Sequence, residues 1–336
     1  IHHVTNYGAV CQAYALSSFL SSLGHEVEVI DYRPPEAVRF YRQFPGKNGR
    51  MNLHRSLQYL RFQRFVKTAL PLSPRLASTA EQVGASAACY DLLIAGSDQI
   101  WCTGEGSFRG FDPAYFLDFP GEVAARRISY AASAGNTRDF GTHTAQIRQA
   151  LSRFDAHAVR DRSTAMLVEK LSGVAPTHVL DPVFLVGFEE FTRDVEPSNE
   201  LVIFSDQPGK FSDLATTLVR RHGLRPVVIG PGQALEGDVR RTLSPAGWLR
   251  CMKGARAVLT DFFHGVAVSL QFGRPFLVKA PPSKSVKIAD LLESASLSAH
   301  LVDSNPEITT RVEANLAPYR RRSLDYLSNA VHSCRP

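Results

Sequence analysis

The sequence predicts an α/β protein made of two doubly wound halves facing one another across a cleft, each half an open parallel sheet flanked by helices. Three observations carry this expectation. Short apolar runs alternate with helix-period segments throughout, as in "AVCQAYALSSFLSSLG" before "HEVEVIDYRP" and again in "ELVIFSD", "FSDLATTLVRRHG" and "RPVVIGPG". Pro176, Pro182 and Pro197 cluster between two such series. The unusual polar clusters "TNYG", "GSDQIW", "SAG", "VLDP", "FSDQPGK", "GPG" and "TDFFHG" all follow predicted strands, where open α/β sheets bind their ligands.

Taken in order, the chain begins at Ile1, and the expectation is of a chain lacking its natural start, with only the end of a first strand before "TNYG". A helix then runs to Gly24, and "HEVEVIDYRP" is the next strand, which together make a βαβ unit and a parallel sheet. "YDLLIAGSDQIW" and "RRISYAASAG" are buried strands that end in polar loops. Helices are predicted over 142–154 and 161–171, the second stopped by Gly173. "THVLDPVFL" is a short strand and turn. The second series continues through the helix "PAGWLRCMKGA", the strand and loop "RAVLTDFFHG", the helix "GVAVSLQFG" and the strand "RPFLVKAP". The predicted organisation is a first domain over 1–175, a second over 176–307, and a last helix within 308–336 that packs back across both.

With 336 residues, 44% hydrophobic and 21% charged, the composition is that of a globular protein with real cores. No apolar run approaches the roughly 18 residues of a membrane span. Five scattered cysteines form no C-x-x-C pair, which argues against a disulfide framework or zinc site and for a reducing compartment. The net charge of +6 is uneven. Between Arg33 and Lys67 there are nine basic residues and a single acid, Glu36, with Tyr41, Phe44, Tyr59, Phe62 and Phe65 interleaved. Such a segment suits an anionic membrane surface or an anionic substrate, or is a solvated helix with snorkelling arginines. No nucleic-acid-binding motif accompanies it.

His264 is the first candidate for chemistry. It follows a predicted strand, it can carry a proton near neutral pH, and Asp261 is close enough in sequence to orient it. Gly265 opens the next helix, whose N-terminal amides attract an anion. A buried structural histidine is the alternative. Asn6, Tyr7 and Gly8 form a turn suited to a polar ligand, or a plain helix cap at Asn6. Ser97, Asp98 and Gln99 offer adjacent hydrogen-bonding groups for a sugar, with the Trp101 indole available to stack on its ring; Ser97 and Asp98 are equally good turn formers. Arg160 could clamp a carboxylate or phosphate, or join a surface ion-pair cluster with Asp161 and Arg162. Lys279 and Lys284 are further anion-binding candidates. No set of residues has metal-ligand spacing.

The stretches "NYGAVCQAYALSSFLSSLGHEVEVIDYRP", "YDLLIAGSDQIW", "YFLDF", "RRISYAASAG", "AVRDRS", "VLDPVFL" and "AVLTDFFHG" resemble, in order and spacing, the polysaccharide pyruvyl transferase family. The resemblance implies a GT-B-like fold of two Rossmann-like domains. It also implies transfer of the pyruvyl group of phosphoenolpyruvate onto two hydroxyls of a sugar, with no cofactor. The acceptor would be a surface polysaccharide unit, often lipid-linked, assembled in the cytoplasm at the inner face of the membrane. His264 corresponds to the family's proposed acid/base and Arg160 to an arginine expected to contact the donor. One departure stands out: better-studied members have arginine two residues before the histidine, and relatives with the "NYGAV" opening usually have serine, whereas this chain has Phe262. Donor recognition would then rest on Arg160, Lys279, Lys284 or backbone amides. The alternatives are a GT-B glycosyltransferase using a nucleotide sugar, with Phe262 packing on its base or sugar, and a non-catalytic binding relative of the same fold.

Overall fold

The structure, a computed structural model, describes residues 1–41, 53–104, 110–121, 123–230, 238–240, 242–279, 282–297 and 315–332. The chain divides into two compact units. The first comprises Ile1–Gln43, Val66–Val186 and Ala317–Pro336, and the second Phe44–Phe65 and Gly187–Leu316.

In the first unit the opening six residues, with bends over 3–5, form no strand where the end of one is expected. Helix α1 (Tyr7–Ser22) starts at Asn6, whose Oδ1 accepts from the Ala9 N–H at 3.3 Å. Strand β1 (Val29–Tyr32) follows, then the short helix α2 (Pro35–Tyr41). Helix α3 (Leu53–Ala69), which belongs to the second unit as far as Phe65, leads into strand β2 (Leu72–Ala77), which pairs in parallel with β1. Pro74 lies within β2 and has no N–H to give a ladder. The pairing is irregular between Val29 and Asp31, and there the Asp31 amide donates instead to Ser73 Oγ at 3.0 Å. The proline hid this strand from a reading based on alternation. Helix α4 (Ala80–Ala87) then precedes strand β3 (Leu92–Ala95).

Strand β3 pairs in parallel with β4 (Arg126–Ser129). After helix α5 (Thr144–Leu151), strand β5 (Ala158–Val159) joins through single parallel bridges, Ile128 to Ala156 and Ala132 to Val159. Helix α6 (Arg162–Ser172) is capped by Asp161 and closed by Gly173 at φ +74°, a left-handed turn that glycine enters without a Cβ penalty. Strand β6 (Thr177–His178) pairs with β5. Trp101, Phe116, Ile147 and Leu151 fill the core of this unit.

The second unit contains helix α7 (Glu189–Thr192) and a five-stranded parallel sheet. In chain order come β7 (Glu200–Phe204), α8 (Ser212–His222), β8 (Arg225–Ile229), β9 (Asp238–Val239), α9 (Pro245–Gly254), β10 (Ala257–Thr260), α10 (Phe263–Gln271), β11 (Phe276–Val278) and α11 (Pro282–Ser294). The spatial order is β11-β10-β7-β8-β9. Every residue of β7 and β10 is buried, as expected for central strands covered on both faces. Leu201, Ile203, Leu218, Val228 and Leu259 form its core. The final helix α12 (Ala317–His332) packs in the first unit: Tyr326 donates to the Ser129 carbonyl at 2.9 Å, and Ser323 Oγ accepts from the Leu180 amide at 2.8 Å. The earlier part of the predicted last helix, 308–314, lies outside the described residues.

Candidate active site

The second unit gathers polar residues at the carboxyl ends of adjacent strands. Strand β7 is followed directly by Ser205, β8 by Gly230, β10 by Asp261 and β11 by Lys279. Ser205 Oγ donates to Asp261 Oδ2 at 3.0 Å and accepts from the Gln207 amide at 2.9 Å. Thr260 Oγ1 donates to the Phe204 carbonyl at 2.8 Å and accepts from the Phe262 amide at 3.1 Å. These bonds hold the turn from β10 into α10 in one shape. His264 is the second residue of α10, 8% exposed, its ring edge-on to Phe263 at 5.1 Å.

Two glycines permit close backbone packing at these strand ends. A Cβ on Gly265 would lie 2.2 Å from Thr260 Oγ1, and one on Gly230, already at φ +140°, would lie 2.2 Å from the Ser205 carbonyl oxygen. The helix can therefore start directly against the strand end, and His264 is positioned by that contact. Gly265 thus has a packing duty that motif reading did not reveal. Phe262 precedes α10 and packs on Phe204 at 4.8 Å, and Phe204 in turn lies 5.3 Å from Trp248. The Lys279 side chain is exposed, and its amide donates to the Thr260 carbonyl at 3.1 Å. Lys284 lies on α11, its side chain outside the described residues.

In the first unit the strand ends converge on Arg160. Its guanidinium donates to Asp181 Oδ2 at 2.7 Å, to Asp98 Oδ1 at 3.2 Å and to Ser97 Oγ at 3.4 Å, and Ser97 Oγ donates to Asp181 at 2.9 Å. Burial alone would lower the Arg160 pKa; Asp181, Asp98 and Asp161 outweigh it and raise the value. The side chain is 2% exposed. Expected as an open clamp for the donor or as a surface ion pair, Arg160 is instead a buried cation engaged by two carboxylates. It ties the ends of β3, β5 and β6 together.

Asp98 is held in the left-handed region at φ +77° and also accepts from the Gln99 amide at 2.9 Å. Its carbonyl accepts from the Ser133 amide at 3.0 Å, beside Ala131, another left-handed residue at φ +54°. Such conformations cost non-glycine residues about 1–3 kcal/mol each and persist where the surroundings enforce them. Ser97 is fully buried, while Asp98 and Gln99 are partly exposed.

Trp101 differs from its expected place. The indole is 1% exposed, stacked on Phe116 at 5.5 Å and edge-on to Phe154 at 5.9 Å, and its N–H donates to the Tyr115 carbonyl at 3.0 Å. No ring face is left for a sugar, because the loop turns the indole into the core. At the start of α1, Asn6 is exposed and caps the helix, whereas Tyr7 and Gly8 are buried.

Sequence reading missed one polar cluster. His2 Nε2 lies 2.7 Å from Asp31 Oδ1, which also accepts from Arg33 at 2.6 Å. Burial would raise the Asp31 pKa, but the bonds from His2 and Arg33 outweigh it and hold it at about 2. Burial and then the neighbouring His2 push His3 down to about 3. Asp31 sits at the strand end in "VIDYRP", which was the available signal. Among the described residues, no group of three or more His, Cys, Asp or Glu is placed to hold a metal ion, and no helix is long and apolar enough to cross a membrane.

Comparison with solved structures places the chain among GT-B-like α/β folds. A Listeria monocytogenes protein described as a UDP-N-acetylglucosamine 2-epimerase is 12% identical, with a TM-score of 0.50 over 96% of this chain and 85% of that one. The UDP-bound structure of S. aureus MnaA is 12% identical, with a TM-score of 0.51 over 95% of each chain. At this identity the likeness concerns the fold alone. No curated protein matches the chain. The sequence model of polysaccharide pyruvyl transferases matches residues 6–282, which contain both strand-end clusters. The chain belongs to the polysaccharide pyruvyl transferase family, a family of transferases.

Proposed function

We propose that the protein moves the pyruvyl group of phosphoenolpyruvate onto two hydroxyls of a sugar, in a cell-surface polysaccharide or its lipid-linked precursor. The observation that supports this reading is the placing of His264 at the start of α10, three residues after Asp261, whose carboxylate Ser205 holds, with Lys279 following the neighbouring strand β11. An imidazole there suits a reaction that needs a proton both given and taken near neutral pH.

In this mechanism His264 delivers a proton to the methylene carbon of phosphoenolpyruvate, and the carbon bearing the phosphate gains oxocarbenium character. One sugar hydroxyl adds at that carbon and gives its proton to the now neutral imidazole. The bond to the phosphate oxygen breaks, phosphate leaves with the electron pair, and the second hydroxyl adds and loses its proton to the departing phosphate. The products are a cyclic ketal and inorganic phosphate, with no resident metal or cofactor required. Asp261 orients the imidazole. Lys279, Lys284 and the amides at the start of α10, Gly265 among them, receive the donor's negative charges. Arg160 is assigned to holding the Ser97–Gln99 loop instead of the donor. The exposed Asn6 and the partly exposed Asp98 and Gln99 are the first unit's candidates for holding the acceptor sugar, and the buried Tyr7, Gly8 and Ser97 support them from below. A lipid-linked acceptor would bring the protein to the inner face of an anionic membrane, met by the basic segment 33–67.

A second reading, transfer of a sugar from a nucleotide donor, is favoured by the Phe262–Phe204–Trp248 cluster and by the UDP in the S. aureus MnaA structure. Thermal unfolding separates the two. A ligand at a hundred times its Kd adds about 2.7 kcal/mol to the folded state. Phosphoenolpyruvate is expected to raise the melting temperature and UDP-sugars to leave it unchanged; the reverse pattern selects the second reading.

A further inference from the structure

Helix α3 has two different faces. Toward its C-terminal end Phe62, Phe65 and Val66 are buried, and Phe65 packs on Phe191 at 5.2 Å. Toward its N-terminal end Leu53, Leu57 and Leu60 are 71%, 43% and 62% exposed. At about 100° per residue, Leu57 and Leu60 fall within roughly 40° of Leu53, while Phe62, Phe65 and Val66 lie roughly 120–180° away. The leucines therefore form an outward stripe that no core interaction accounts for. Continued along the helix, the same line carries Arg64 and Lys67, both exposed, and Arg61 is exposed on its flank. Arg61 donates to the Thr242 carbonyl and, at 3.1 Å, to Thr242 Oγ1, a contact within the second unit. No acid occurs anywhere in α3.

An exposed apolar stripe invites either another protein or a lipid surface. Charge decides between them here. A wholly cationic helix with apolar side chains at its outer edge complements anionic headgroups above an acyl layer, where leucines insert and basic side chains stay at the phosphate level. We propose that the outward face of α3, with Leu53, Leu57 and Leu60 as the inserting residues and Arg64 and Lys67 as the headgroup contacts, docks on an anionic bilayer. This deepens the membrane-side reading given above by naming the surface and the lipid chemistry, and it rests on that reading for its biological setting alone.

The test is co-sedimentation of the full chain with phosphatidylcholine vesicles, with and without phosphatidylglycerol, in the absence of any substrate. Binding is expected only with phosphatidylglycerol. It should weaken as salt rises from 0.1 M toward 1 M, where the Debye length falls from about 10 Å to about 3 Å. It should also fall roughly tenfold for each leucine removed in L53S/L57S/L60S, and K67Q should weaken binding to anionic vesicles alone. The leucines are exposed, so the triple variant should keep the wild-type melting temperature. Equal binding to both vesicle types, or an unchanged triple variant, overturns the proposal. So does a wild-type dimer in sedimentation equilibrium that the triple variant abolishes, because the stripe would then pair with a second copy. Donor binding plays no part in this assay, so its outcome and that of the donor test are independent.

Discussion

Ser205 Oγ and Asp261 Oδ2 lie 3.0 Å apart and join the carboxyl ends of β7 and β10. The bond fixes a fully buried carboxylate three residues before His264. Without Ser205 that carboxylate loses a partner in a site that water does not reach, which costs about 1–3 kcal/mol. Ser205→Ala is expected to reduce stability by this amount and to lower kcat through a less constrained turn. Urea unfolding and steady-state kinetics measure the two effects, and Ser205→Thr, which keeps the hydroxyl, should restore part of both.

His264→Gln should lower kcat by roughly 10²–10⁴-fold, the usual range for a general acid or base, while changing stability little. Donor affinity, read by the melting-temperature rise with phosphoenolpyruvate, should stay within a few-fold of wild type. A variant that loses donor binding but keeps its maximal rate would make His264 a binding residue.

Gly265→Ala places a methyl carbon 2.2 Å from Thr260 Oγ1 and 2.9 Å from its Cβ. Overpacking of this kind costs about 1–3 kcal/mol, and relief requires α10 to shift and carry His264 with it. Stability and kcat are expected to fall together. Adding Thr260→Ala should recover only part of the loss, since the threonine Cβ is itself in the way. A G265A protein of normal stability and rate would contradict this.

Arg160→Met removes one partner of a buried ion network and leaves Asp98 and Asp181 without their cation. The expected cost is about 3–5 kcal/mol, seen as a lower urea midpoint. A stable R160M protein whose single defect is a raised KM for the donor would return Arg160 to the donor site.

Acid should destabilise the protein through His3. Its ordinary pKa of 6.5 is depressed to about 3 by burial and by His2, so the unfolded chain takes the proton first. Stability is complete above about pH 6.5 and declines toward pH 3, with a slope approaching 1.4 kcal/mol per pH unit, roughly, from this group. Asp31, held at about 2 against an ordinary 3.8, acts in the same direction: its contribution is present above 3.8 and is lost as pH falls through 2. His3→Leu should flatten the loss of stability between pH 6 and 4 in urea titrations. An unchanged slope would show that His3 does not titrate with unfolding.

Much of the second unit was legible because its strands are continuous apolar runs ending in polar residues. "RAVLTDFFHG" already announces a buried strand, a sharp exit and a histidine at a helix start. Less could be read in the first unit. Strand β2 contains Pro74, which breaks the usual signal, and β5 and β6 are two residues each. Side-chain fate was least legible, because a strand-end position does not say which way a residue turns. Trp101 goes inward to Phe116, and Arg160 finds carboxylates brought from 21 and 62 residues away in sequence. His2 and Asp31 are likewise 29 residues apart, and no local pattern pairs them. Gly265 marks a helix start in the sequence, but its close packing on Thr260 has no local signal there.

The most direct test is turnover itself. Wild-type protein and H264Q would be incubated with phosphoenolpyruvate and a panel of glycosides, following inorganic phosphate release and ketal formation by mass spectrometry. Wild type should release one phosphate for each pyruvyl ketal formed, and H264Q should form almost none while still binding phosphoenolpyruvate. Ketal formation by H264Q at the wild-type rate would contradict the role given to His264, and consumption of a nucleotide sugar in place of phosphoenolpyruvate would contradict the reaction.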